Sequence, residues 1–342
     1  MRGVRLLWPL LAILIAFAVG GLLTWAFGHD PFSAYGALIS GSLGSGYAIS
    51  TTLTDALPLM ITGLAVALSF QSGLFNIGAS GQYWLGAIVA VWLGYSLKLP
   101  TPLHLLVCLL AGALAGALWA ALIPGLAKAF RGANEVITTL MMTYVATYLG
   151  HYLIEGGPMQ APGYTPQSPH LLPSAILPNL VSGTQLSVGI FLAPLLAALT
   201  WFLLSRTRLG FSLRISGYNP RAARYAGVRP VVAILAALGL SGALAGLAGA
   251  VQMMGVDHRL FDSFGTSYGY TGIVVALLAR NNPFGVLLAA LLFGVLSSGA
   301  NAMQINAGVP FHLVDVIQGV IIFFVAAEGL MRYLRLRSGG NS

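Results

Sequence analysis

Ten stretches of this sequence are apolar and at or near the length needed to cross the roughly 30 Å hydrocarbon core of a bilayer. They lie at residues 6–27, 48–70, 83–97, 103–130, 136–153, 186–204, 231–254, 268–279, 284–303 and 311–331. Little of the chain is left over to build a soluble core. Charged residues make up 7% of the sequence, where a soluble domain carries roughly a quarter, and mean hydropathy is +0.86. The expected fold class is therefore all-α: a polytopic transmembrane helix bundle of about ten spans, residues 1–342 forming one membrane domain. Residues 1–28 begin like a signal peptide, with Arg2 and Arg5 before an apolar run. The run is nearer span length and lacks a small-residue cleavage pattern, so it reads as an uncleaved first span.

Charge asymmetry orients the bundle. Placing the N-terminus in the cytoplasm puts fourteen of the sixteen basic residues on that side, leaving only Lys98 and Arg259 outside. Both termini are thus expected to be cytoplasmic. The net charge of +8 is then a topology signal and implies no nucleic-acid partner. The single Cys108 lies inside an apolar run, which excludes an internal disulfide framework.

One inner loop carries an unusual density of signal. Residues 206–230 hold Arg206, Arg208, Arg214, Arg221, Arg224 and Arg229 and no acidic residue. Within it Asn219 is a good helix N-cap, Pro220 suits the first helical position, and Gly227 can end a helix in the left-handed conformation. A helix of seven or eight residues is marginal alone in water, so it is expected to be held between membrane helices and a partner protein.

The outer loops read differently. Residues 155–185 contain six prolines and cannot span; they form either an ordered external cap or a plain connection. The outer loop 255–269 carries Asp257, His258, Arg259 and Asp262, but without a strong metal-ligand spacing it reads as a solvated loop. Two polar breaks interrupt the apolar pattern. In 69–82, Gln71, Asn76, Ser80 and Gln82 stand among three glycines, as a tight turn or as a broken helix lining a pathway. In 131–144, Asn134 is expected to cap a helix whose first turn holds Glu135. Small residues at helical spacing, Gly112, Gly116 and Ala120 and then Gly239, Ala243, Gly246 and Ala250, point to close helix packing. Asp55 and Asp315 fall near the outer ends of spans, and Glu328 is expected to pair with Arg332 four residues on.

No phosphate loop, H-E-x-x-H, G-x-S-x-G or Cys/His cluster is present, so neither an enzyme nor a bound cofactor is expected. Uphill transport would need ATP hydrolysis by another subunit or, alternatively, an ion-gradient-driven secondary carrier.

Five segments in order, 73–82 (GLFNIGASGQ), 132–146, 210–228 (GFSLRISGYNPRAARYAGV), 269–285 and 311–325, together resemble ABC-importer permeases of the ribose, nucleoside and branched-chain amino acid type. The simple-sugar and nucleoside subgroup is the nearest. That subgroup commonly has Glu where this chain has Ser80. The resemblance implies that Gly217, Asn219, Pro220, Arg221, Ala222, Ala223, Arg224 and Gly227 form a short cytoplasmic helix that docks on a separate ABC ATPase subunit. It further implies a second permease subunit, an extracytoplasmic solute-binding protein and a small-molecule substrate in the inner membrane. A pathway for a sugar or nucleoside needs hydrogen-bonding groups and aromatic faces. Asn76, Gln82, Thr138, Thr139, Tyr144 and Asn301 are the expected lining residues.

Overall fold

The computed structural model describes residues 2–262, 264, 267–310, 312–320 and 323, with side chains from residue 13 onward. Its helices are α1 (Arg2–Ala26), α2 (Pro31–Leu43), α3 (Gly46–Gln71), α4 (Ala79–Ser96), α5 (Thr101–Ala120), α6 (Leu126–Arg131), α7 (Glu135–Ile154), α8 (Leu192–Arg206), α9 (Arg208–Tyr218), α10 (Pro220–Tyr225), α11 (Pro230–Gln252), α12 (Tyr268–Leu278) and α13 (Pro283–Ala307). A π turn, Ala121–Gly125, joins α5 to α6 at Pro124, where a proline removes one backbone donor. No strand occurs among the described residues; two isolated bridges do.

Five continuous helical runs are long and apolar enough to cross a membrane: Gly46–Gln71, Thr101–Arg131, Val188–Arg206, Pro230–Asp257 and Pro283–Ala307. The other expected spans coincide with helices α1, α4, α7 and α12, apart from 311–331, most of which lies outside the described residues. So does the expected Glu328–Arg332 pair.

The chain forms two compact units. One comprises Met1–Asp55 with Leu291–Ser342. Here α2 was not foreseen as a helix. Asp30 caps it, its carboxylate accepting from the Phe32 and Ser33 amides at 3.2 and 3.0 Å. Tyr35 donates to the Phe17 carbonyl at 2.5 Å and meets its ring at 5.5 Å, tying α2 to α1. Gly299 gives the α2 backbone room at Leu38.

The second unit, Ala56–Ala290, is built on α4, α5 and α11. Their contact is made of glycine. A methyl group on Gly112 would stand 2.7 Å from the Ala250 Cβ and 3.0 Å from the Gly86 carbonyl. One on Gly246 would stand 3.0 Å from the Gly116 Cα. The helices touch backbone to backbone, where dispersion contacts are densest and where lipid offers no hydrophobic alternative to packing. The α5 half of the expected stripe is correct. On α11 the contact register is Gly242, Gly246 and Gly249 with Ala250, whereas Gly239 has only ordinary contacts, 3.7 Å or more away. Residues 239–250 hold four glycines and four alanines, which offer several small-residue stripes, and only the packing selects one.

Residues 155–185 form an ordered cap. Backbone bonds join Ser168 to Leu260, Leu171 to His258, Leu172 to Gly94 and Leu177 to Met254, at 2.8 to 3.0 Å. His104, buried on α5, reaches the Ser174 hydroxyl at 2.8 Å and the Leu93 carbonyl at 3.2 Å. With its prolines unable to continue a helix, the loop satisfies its backbone against the ends of α4 and α11 instead.

Candidate functional site

The arginine-rich loop folds as two short helices. Thr207 caps α9, its hydroxyl accepting from the Gly210 amide at 3.0 Å. Asn219 then ends α9 and starts α10. Its amide donates to Ile215 at 2.9 Å, and its side-chain oxygen accepts from Arg221 and Ala222 at 3.0 and 3.1 Å. Pro220 occupies the first turn. Gly227, at φ +76°, lets the Val228 amide return to the Ala223 carbonyl at 2.9 Å. Only Ala223 of α10 is buried; Tyr218 and Tyr225, on either side, are 88% and 95% exposed. The cap, proline and glycine signals in the sequence thus locate α10, six residues long. The preceding α9 was not foreseen, although Thr207 offers a cap signal.

Gly217, in the last turn of α9, lies directly against Gly73. A Cβ on Gly73 would stand 2.5 Å from the Gly217 Cα, and one on Gly217 would stand 2.6 Å from the Gly73 nitrogen. Gly73 also holds φ +71°, open to glycine at no cost. The adjoining Leu74 packs with Leu213 of α9 and Ala233 and Ala237 of α11. Helix α9, which leads into α10, therefore touches the turn between α3 and α4 backbone to backbone.

That turn is a closed hydrogen-bond network. The Asn76 and Gln82 side chains, 0% and 1% exposed, exchange two amide bonds: Asn76 Nδ2 donates to Gln82 Oε1 at 2.8 Å and Gln82 Nε2 to Asn76 Oδ1 at 3.0 Å. Asn76 Nδ2 also donates to the Ser241 hydroxyl at 2.9 Å, which donates in turn to the Ala65 carbonyl at 2.7 Å. Thr139 accepts from the Ile77 amide at 3.3 Å and donates to the Glu135 carbonyl at 2.6 Å. Of the expected lining residues, Asn76, Gln82 and Thr139 thus come together, buried. Thr138 is half-buried and bonds the Asn134 carbonyl at 3.1 Å; Tyr144 and Asn301 are exposed, the latter in the other unit. Ser241 was missed, since a serine inside an Ala/Gly helix gives no signal of its own. Tyr83 and Trp84, next to Gln82, were also missed. Both are fully buried, and Phe264 stacks on Tyr83 at 5.1 Å and meets Trp84 edge-on at 5.3 Å. The Tyr83 hydroxyl and Trp84 Nε1 have no hydrogen-bond partner among the described residues.

The sequence model of the branched-chain amino acid transport system / permease component family matches residues 48–326. The chain belongs to that family. It is 38% identical over 334 residues to a guanosine ABC transporter permease of Bacillus subtilis, covering 96% of this chain and 95% of the relative. A second guanosine ABC transporter permease of the same organism is 29% identical over 259 residues, 73% of this chain and 80% of the relative. A glucose ABC transporter permease of Haloferax volcanii is 38% identical over 340 residues, 95% and 88% of the two chains. No solved structure matches.

The chain is accordingly an inner-membrane ABC permease and not an enzyme. A permease of this family works with an ATPase subunit, a solute-binding protein and a transported substrate. In this permease Ser80 is buried against α12: a Cβ on Gly269 would stand 2.7 Å from the Ser80 Cβ. Glu135, capped into α7 by Asn134, pairs with Lys128 at 2.7 Å. Burial works to raise its carboxyl, but the hydrogen bond and charge of Lys128, with backbone bonds at Glu135 and Phe75, hold it below the ordinary value. Asp262 faces His151 at 2.6 Å, and Asp257 accepts from Gln252 at 3.1 Å. His258 joins neither. Burial, with His170 nearby, lowers its pKa.

Proposed function

We propose that this permease forms the pathway of an ATP-driven importer for a nucleoside or simple sugar, and that α10 receives the motion of a separate ATPase. In this reading the chain is a single domain of about ten spans with both termini and the 206–230 loop in the cytoplasm. A second, different permease chain pairs with it; the two guanosine permeases of Bacillus subtilis, both similar to this chain, support a heterodimer. The substrate class rests on the printed names of the guanosine and glucose relatives. The cap formed by residues 155–185 offers the binding protein an ordered outer surface.

The observation that carries the reading is the route from surface to interior. The capped α10, with almost no buried face, follows directly on α9, whose last-turn Gly217 touches Gly73 at the edge of a buried polar network. Gly217, Asn219, Pro220, Ala222, Ala223 and Gly227 give α10 its shape, and Arg221 and Arg224 present charge to acidic groups of the ATPase. A push on α10 reaches Asn76 and Gln82 through Gly73 by rigid-body displacement. These two amides and Thr139 hold the wall closed in the conformation described. Opening it exchanges their mutual hydrogen bonds for bonds to a solute, with Thr138 and Tyr144 as further polar contacts and the Tyr83–Phe264 stack as an aromatic face.

Reconstituted vesicles provide the test. With the second permease, ATPase and binding protein present, uptake of guanosine or glucose should require ATP inside. Uptake by this chain alone, driven by a proton or sodium gradient, would establish a secondary carrier instead.

A further inference from the structure

The groove beneath the arginine-rich loop has a use that ATPase docking does not absorb. A cavity of about 740 Å³ opens between the end of α8, the first two turns of α9, the segment 226–229 and the start of α11. Arg206, Arg208, Arg214 and Arg229 line it. Among the described residues none of the four has an acidic side chain in ion-pair range. Arg214 Nε is buried without a hydrogen-bond partner. A buried guanidinium nitrogen with nothing to donate to is costly unless a ligand supplies an acceptor. The α11 N-terminus at the groove has no side-chain cap, which leaves the Val231 and Val232 amides, the first after Pro230, to face an anion.

The other wall is apolar and open. Leu209, Phe211 and Val232 line the same cavity at 39%, 52% and 53% exposure. Depth decides what covers them. Arg206 is the last residue of α8 and stands over the Trp201 ring at 6.0 Å, and α8 and α11 are both apolar enough to cross the membrane. Trp and Arg at the end of a span mark the headgroup level of a bilayer. A groove at that level with cationic and apolar walls matches a molecule with an anionic head and a hydrocarbon tail.

We infer that this groove binds one anionic phospholipid of the cytoplasmic leaflet, its phosphate on Arg206, Arg208, Arg214 and Arg229 and an acyl chain along Phe211 and Val232. A soluble acidic peptide would satisfy the arginines and leave the apolar wall uncovered. The bound lipid would brace α9 against α11 and so fix the base on which α10 stands. The cytoplasmic placement rests on the proposed function; the groove and its chemistry do not.

Native mass spectrometry of the purified transporter complex in detergent tests this, with phosphatidylglycerol and phosphatidylcholine of identical acyl chains as probes. The complex should retain phosphatidylglycerol at roughly tenfold lower lipid concentration. Each neutralised arginine should weaken that binding about fivefold, and the R206Q/R208Q/R229Q chain should lose on the order of a hundredfold. These three side chains are exposed, so folding should survive. The corresponding triple Lys chain keeps the charge and should retain most of the preference. Equal retention of the two lipids, or binding unchanged in the triple Gln chain, would overturn the proposal. So would displacement of the lipid by millimolar inorganic phosphate, which marks a soluble-anion site. Loss of the ATPase from the triple Gln chain with lipid binding intact would assign the groove to an acidic segment of that subunit. R221E/R224E separates the two readings: it should release the ATPase and leave phosphatidylglycerol bound. If the ATPase stays while the lipid still discriminates, the coupling role fails and the lipid site stands.

Discussion

The α4–α5–α11 interior and the 206–230 loop are both rich in small residues, for opposite reasons. Gly246 has no room: a Cβ there would stand 3.0 Å from the Gly116 Cα and 3.1 Å from its nitrogen. Gly227 has open space all round it and is needed for its φ of +76°. In the interior, glycine removes volume so that backbones can meet. In the loop it removes a conformational penalty so that a short helix can stop and stand clear. The polar groups divide in a similar way: Asn76, Gln82 and Ser241 bond one another inside, while among the described residues none of the loop's arginines has an ion pair. The first region is finished within the chain, and the second awaits something outside it. Gly73 and Gly217 are where the two meet.

Substitutions that separate these regions should fall in a definite order. Gly246→Leu should have the largest effect, at or above the ~3 kcal/mol end of overpacking costs, because the obstacle is backbone. The chain should fail to give a monodisperse peak after membrane extraction; a folded variant of normal melting temperature would break the glycine account. Asn76→Ala should come next, at about 2 kcal/mol, since it leaves the buried Gln82 amide and the Ser241 hydroxyl each short of a partner. A thermal melt reads it, and coexpressed ATPase should still associate. Gly73→Ala should cost about 1–2 kcal/mol for the left-handed backbone, with a disproportionate loss of ATP-driven uptake, tenfold or more, because it pries the junction apart. Uptake that falls only in step with folded protein would deny the junction its relay role. Glu135→Gln should be the mildest, about 1 kcal/mol or less, and it should depend on pH. The folded carboxyl sits below its ordinary value, so its stabilisation is complete above the unfolded pKa and is lost as pH falls through the folded one. The melting-temperature gap between wild type and variant should therefore narrow as pH falls from 7 toward 4.

Much of this division was legible in the residues. The Asn219–Pro220 start and the Gly227 stop locate α10 because caps and left-handed glycines act locally. Asn134 likewise marks the start of α7. The packing register on α11 was not legible: Gly239 and Gly242 look alike in a sequence, and only the facing Gly112 and Gly116 distinguish them. The amide pair of Asn76 and Gln82 shows the same limit. Polar residues in an apolar chain announce a special site, but whether they face a solute or each other depends on Ser241, which lies 165 residues away. Helix α2 went unseen even though Asp30–Pro31 is a cap signal, because apolar periodicity dominated the reading there. The lining of the arginine groove was out of reach, since Arg206 and Arg229 meet only through the fold of α9.

The central claim is that α10 belongs to the ATPase and the interior does not. It is tested most directly by copurification of the ATPase with the R221E/R224E chain, alongside a thermal melt of the same sample. The account predicts that the ATPase retained falls at least tenfold while the melting temperature stays at the wild-type value. Full retention of the ATPase by a well-folded R221E/R224E chain would contradict it.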